Sequence, residues 1–180
     1  MQIINHLRSI KKLSKTDILT GISSRRYLYA LLNQEWRKAI TEQNSVGFMI
    51  IDINNFEAYN AQYGHLRGDT VLKELAHLID KKLADTPYKV GRWGGEEFAI
   101  LLPQTGINEV ENLAKELSGL IHEYEFVKDG ISSKVEVSIG INALTPDNDG
   151  THTLDSFISN TTTAVEGSKV LQGVKILSAI

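Results

Sequence analysis

Three carboxylates carry the first suggestion of chemistry: Asp52, Glu96 and Glu97. Asp52 lies near the end of an almost continuous apolar run, 46–53, that stops at the polar pair Asn54-Asn55. A run this short and this apolar reads as a buried central strand. A carboxylate at its end leaves the core and faces the edge of the sheet, where ligands collect in α/β folds. Glu96 and Glu97 follow Gly94-Gly95 between two strand-like stretches, 90–93 and 98–102, the pattern of a β-hairpin tip. Glycines there admit close backbone approach to a ligand and positive φ. Converging carboxylates repel one another, and a divalent cation removes that penalty. Magnesium prefers one or two carboxylates together with phosphate oxygens. The chemistry implied is a metal-assisted nucleotide site. On these residues alone, a hairpin tip that is merely acidic and exposed remains open.

The elements that must position these groups are legible in the periodicity. Residues 24–40 read as a helix with Leu28, Leu31, Leu32 and Trp36 on one face. Asp69 is placed to cap a helix whose apolar face is Leu72, Leu75, Ala76, Ile79 and Leu83. Residues 108–122 repeat the helical pattern with Val110, Leu113, Ala114, Leu117 and Ile121. Val135, Val137, Ile139 and Ile141 alternate with Glu136, Ser138 and Gly140, which predicts a strand half-buried on one face. A loop rich in Pro, Asp, Asn and Gly follows at 145–153, then a threonine-weakened helix over 154–167 and a last strand over 174–177. The fold class expected is α/β, with helices flanking a central mixed sheet of about five strands.

Bulk properties narrow the function classes. The chain has 180 residues and reads as one domain, 16–180, preceded by a segment, 1–15, expected to be a linker or N-terminal helix. Ile3, Leu7, Ile10 and Leu13 form one stripe of that helix. There is no cysteine, which excludes disulfides and thiolate chemistry and suits a reducing compartment; a cytoplasmic location is expected. A formal net charge of −3 argues against a general nucleic-acid or anionic-membrane binder. No apolar run approaches the ~20 residues of a membrane span.

Five ordered motifs carry a family resemblance. Asp17-Ile18-Leu19-Thr20-Gly21 leads to Ser24-Arg25-Arg26, and Asp52-Ile53-Asn54-Asn55-Phe56 follows. Next come Asn60-Ala61-Gln62-Tyr63-Gly64-His65-Leu66-Arg67-Gly68-Asp69 and Gly91-Arg92-Trp93-Gly94-Gly95-Glu96-Glu97-Phe98, and last Ser138-Ile139-Gly140. Together they resemble the GGDEF family of diguanylate cyclases, with glutamate at the signature's third place. The resemblance implies a palm-like α+β sheet and condensation of two GTP into cyclic di-GMP by a homodimer with Mg2+ or Mn2+. It implies that Asp52, Glu97 and the Ile53 carbonyl bind metal, and that Glu96 positions or deprotonates the 3′-hydroxyl. Asn60 and Asp69 would read the guanine edge, and backbone amides near Asn55 and Phe56 would cradle phosphate. Asp69 keeps the alternative of a simple helix cap. A fused or upstream sensory domain is the expected partner, with no nucleic acid and no membrane contact from this segment.

The sequence also departs from the family pattern. Asn54 stands for the usual second aspartate, and Glu57 for a usual lysine beside the phosphate loop. Near the C-terminus, Val174 takes the position of a phosphate-binding arginine, and Lys169 lies one place from the expected lysine. Lys169 is either a substrate contact or a surface lysine. The product-inhibition motif R-x-x-D is replaced by Asp85-Thr86-Pro87-Tyr88, so inhibition through that stretch is not expected. These departures support an alternative: a degenerate module that binds GTP or a partner without turnover.

Overall fold

A computed structural model of the chain describes residues 15–170 and the strand residues 176–178. The helix expected over 1–15, apart from Lys15, and the position of Val174 lie outside the described residues. The central sheet has six strands in the order β1-β3-β4-β2-β7-β8. These are β1 (Ser23–Ser24), β2 (Val46–Ile53), β3 (Lys89–Arg92), β4 (Glu97–Pro103), β7 (Val137–Leu144) and β8 (Ile176–Ser178). The middle four are antiparallel neighbours, while β1 and β8 join the edges in parallel, so the sheet is mixed. A separate small hairpin pairs β5 (Phe126–Lys128) with β6 (Ile131–Ser133).

The described residues form five helices, α1 (Arg25–Glu42), α2 (Phe56–Tyr63), α3 (His65–Leu83), α4 (Ile107–Glu123) and α5 (Leu154–Val170); α2 packs on α3, and the others pack on the sheet. Strand periodicity divides the core in two. Met49, Ile51 and Ile53 of β2 join Val71, Leu75 and Ile79 of α3 and Val110, Ala114 and Leu117 of α4. Phe48 and Ile50 face the other way, onto Leu28, Leu32 and Trp36 of α1 and Phe157 and Val165 of α5. Helix α1 starts where Ser24 is extended and its hydroxyl accepts from the Tyr27 amide at 3.3 Å, a cap worth about 1 kcal/mol.

The structure corrects the sequence reading in three places. Strand β7 is not half-exposed: Val137 to Asn142 are buried on both faces. The reason is α5, which lies so close to Gly140 that a β-carbon there would meet the Thr161 carbonyl and Val165. Asp69 does not cap a helix, because α3 already begins at His65, after Gly64 turns the chain with φ 86°. That leaves Asp69 in the second turn, with its side chain free of a capping role. Neither Gly94 nor Gly95 adopts positive φ. At Gly94 a β-carbon would meet the Glu97 carboxylate, which would have to move from its place opposite Asp52.

Candidate active site

The alternation that divides the core also builds the acidic pair. Counting by twos from Phe48 and Ile50 places Asp52 on the α1/α5 face of β2. The same count along β4, from Ala99 and Leu101, places Glu97 on that face. The register sets Asp52 directly opposite Glu97. Like charges opposite one another on neighbouring strands are destabilising, and Asp52 is only 5% exposed. Burial pushes the Asp52 carboxyl above its ordinary range, a rise that Lys169 opposes and Glu96 reinforces. Burial likewise raises Glu97, with the Asp52 charge adding to it.

Lys169, near the end of α5, partly answers this charge. Its Nζ donates to Asp52 Oδ2 at 3.0 Å and to Glu166 Oε1 at 3.1 Å. The two carboxylates hold its pKa above the ordinary value against the effect of burial. One ammonium among Asp52, Glu97 and Glu166 leaves surplus negative charge. That donor set is hard oxygen, suited to Mg2+ or Mn2+. Among the described residues no group of three or more acidic or histidine side chains is gathered as a ready-made metal site. A cation here would therefore draw further oxygens from backbone, water or substrate, as magnesium ordinarily does.

Asp52 lines an open cleft of about 990 Å³, and Glu97, opposite it on β4, lies behind that lining. Ile53, Asn55, Phe56, Glu57, Glu96 and Lys134 line it together with Asp52 and Lys169. The N-terminus of α2 opens on this cleft. Asn55 holds the left-handed conformation, φ 54°, immediately before the helix. The first amides of a helix lack intrahelical partners and carry partial positive charge, a setting for phosphate. Glu57 in that same first turn acts against an anion. Asn54, in the usual aspartate position, has its Oδ1 engaged by the Ser138 hydroxyl at 2.8 Å.

Asn60 and Asp69 do not line this cleft. They lie across the α2–α3 corner, where Asn60 Oδ1 is buried without a hydrogen-bond partner. Gly68 makes the room: a β-carbon there would overlap the Asn60 amide. A buried orphan acceptor costs about 1–3 kcal/mol, which a ligand donor would recover.

The hairpin tip is held by a residue that the motif reading did not single out. Arg92 Nε and Nη2 donate to the Gly95 carbonyl at 3.2 and 2.7 Å, and its Nη1 to Asp17 Oδ1 at 3.3 Å. Asp17 Oδ1 also accepts from the Thr20 amide and hydroxyl at 2.9 and 2.7 Å. Burial opposes ionisation of Asp17, but the Thr20 bonds and the Arg92 charge outweigh it and lower its pKa. The signal was present in sequence: Arg92 lies two places before the double glycine, and Asp17 opens the first motif. Trp93 is buried at the base of the tip, edge-on to Phe48 with centroids 5.3 Å apart, and Arg25 lies 4.9 Å over its ring.

Comparison with known proteins bears directly on this arrangement. Residues 14–171 match the family described as diguanylate cyclase, GGDEF domain. Diguanylate cyclase DgcP of Pseudomonas aeruginosa is 33% identical over 139 residues, covering 77% of this chain and 21% of that protein. An uncharacterised membrane protein of Staphylococcus aureus is 33% identical over 134 residues, covering 74% of this chain and 37% of its own length. The chain thus spans well under half of the curated relatives it matches. Among solved structures, diguanylate cyclase SiaD of P. aeruginosa, in complex with its activator SiaC, superposes with a TM-score of 0.85 at 26% identity. That match covers 99% of this chain and 67% of SiaD. The active GGEEF domain of a Vibrio cholerae diguanylate cyclase gives 0.77 at 27% identity, covering 87% and 97%.

Proposed function

The chain belongs to the GGDEF domain family of diguanylate cyclases, and on that premise we propose that it condenses two GTP into cyclic di-GMP and two pyrophosphate. The observation that carries the reading is the Asp52–Glu97 pair, set opposite each other across β2 and β4, with Asp52 lining the cleft. A buried Asp52 facing a half-buried Glu97 is costly unless a cation neutralises them, as a metal-bound nucleotide would. Asp52, Glu97 and the Ile53 carbonyl would hold Mg2+ or Mn2+, which supplies charge neutralisation at the phosphates.

The remaining work falls to the chain's own residues. The α2 amides near Asn55 and Phe56, with Lys169, would hold the triphosphate. Asn60 and Asp69 would pair with the guanine edge, an amide that donates and accepts beside an acceptor-only carboxylate. Gly94 and Gly95 would let the hairpin backbone lie close to the nucleotide. Glu96 would accept the proton of the 3′-hydroxyl. That oxygen forms a bond to the α-phosphorus of the second GTP, and the bond to the bridging oxygen breaks to release pyrophosphate. Each subunit holds one GTP, so turnover requires two subunits face to face as a homodimer. We place this reaction in the cytoplasm, where GTP is held, with a sensory segment elsewhere in a longer protein bringing the pair together.

The test is incubation of concentrated protein with GTP and Mg2+, following cyclic di-GMP and pyrophosphate by chromatography. Product from wild type and none from Glu97→Ala is the expected result. A second reading rests on Glu57, whose carboxylate lines the cleft beside the α2 amides. It describes a module that binds GTP without turnover. Metal-dependent GTP binding with no product from a folded, dimeric sample would favour it.

A further inference from the structure

Arg67 is a buried arginine that makes no salt bridge to a carboxylate among the described residues. It is 7% exposed and lies on α3. Its Nη2 donates to the Ile131 carbonyl at 2.6 Å and to Ser133 Oγ at 3.3 Å. Its Nε donates to the Tyr59 hydroxyl at 3.3 Å, and that hydroxyl lies 2.7 Å from Ser133 Oγ. The guanidinium also lies 4.8 Å from the ring centre of Tyr63. A buried cation without an anion is held only where its donors and its flat faces are both used. Every contact of Arg67 crosses from α3 to α2 or to the β5–β6 hairpin, and the Tyr59–Ser133 contact closes the third side.

The position of this network gives it a consequence. Tyr59 immediately precedes Asn60, and Arg67 immediately precedes Gly68 and Asp69. Asn60 packs against Gly68, where Phe56 also lies close. Phe56, Tyr59 and Tyr63 form a ladder along α2, with ring centres 6.1 and 4.7 Å apart, and Arg67 extends it onto α3. The β6 strand that receives Arg67 leads directly into Lys134 and Val135 of the cleft wall. Resting on the reading that Asn60 and Asp69 recognise guanine, we propose that Arg67 is the positioning residue for that recognition. It fixes the spacing of α2 and α3 at their corner by tying both to the β5–β6 hairpin. It touches neither base nor phosphate itself.

The experiment is equilibrium binding, with Mg2+, of GTP, inosine triphosphate and inorganic tripolyphosphate to wild type, Arg67→Met and Ser133→Ala. Inosine triphosphate lacks only the exocyclic amine of guanine. Wild type is expected to prefer GTP to it. Arg67→Met is expected to bind GTP about tenfold more weakly and to lose most of that preference, with tripolyphosphate affinity unchanged. Ser133→Ala, a milder change that keeps the buried arginine, is expected to shift the preference in the same direction by less. A folded Arg67→Met or Ser133→Ala that keeps the full preference overturns the role of Arg67 alone. A wild type that binds both triphosphates equally overturns the guanine reading and this role with it. Equal weakening towards GTP and tripolyphosphate would make Arg67 a general structural support and also overturn the proposal.

Discussion

At the scale of single residues, the site is a problem of charge held out of water. Glu97 has a raised pKa because burial and Asp52 disfavour its ionised form. A proton therefore binds the folded state more tightly than the unfolded one. The ionised carboxylate is a stability cost at neutral pH, relieved as pH falls through the raised folded value. Metal-free Glu97→Gln should melt about 2 °C above wild type at pH 7, and the gap should close as the pH is lowered through that range. Calorimetry across pH checks this, and a variant melting below wild type at pH 7 would contradict it. Lys169 makes the complementary case, because its contact with Asp52 occupies an oxygen a metal would use. Lys169→Met should bind Mn2+ alone about fivefold more tightly, by titration in a magnetic-resonance assay, and metal-bound GTP more weakly. Unchanged Mn2+ affinity would show that the ammonium does not compete.

At the scale of elements, much of this arrangement was legible, and the rest was hidden for identifiable reasons. The apolar run of β2 announced a strand, and the double glycine announced the hairpin, because both signals are local. The opposition of Asp52 and Glu97 is a matter of register between strands distant in sequence, which no local pattern encodes. The reach of Lys169 to Asp52 spans 117 positions and depends on where α5 lands. Strand β7 was read as half-buried because Ser138 and Gly140 look like an exposed face. Here they are the face that α5 covers, with Ser138 only 2% exposed. Asp69 resembles a cap because the apolar repeat begins only at Leu72, whereas the helix itself begins at the turn made by Gly64. The fit of α5 on β7 gives a test at this scale. Gly140→Val should cost about 1–3 kcal/mol in urea unfolding, since the Thr161 carbonyl and Val165 stand where its side chain must go. It should also lower affinity for metal-bound GTP by moving Lys169. A variant as stable as wild type would mean that α5 is not seated as described.

At the scale of the whole molecule, the proposed function makes the site half of a reaction centre. The proposed chemistry joins two substrates held by two copies. The rate per subunit should therefore rise with protein concentration and level off only when dimers predominate. Turnover measured across a hundredfold dilution series, alongside sedimentation, checks this. A specific rate independent of concentration, in a protein that sediments as a monomer, would exclude the two-copy scheme. The negative overall charge sharpens the expectation, because two copies at −3 each repel weakly at low salt. Added salt should then assist assembly before it weakens nucleotide binding.

Strand β2 carries one further consequence, in the currency of insertions and deletions. Asp52 meets Glu97 only because it stands an even number of steps along the strand from Phe48 and Ile50. Adding or removing one residue between them would turn the carboxylate into the packed layer of α3 and α4. A change of two would keep its side and alter only its reach. Length variation in this strand should therefore be tolerated, if at all, in pairs: the site is protected by parity as well as by the identity of its residues.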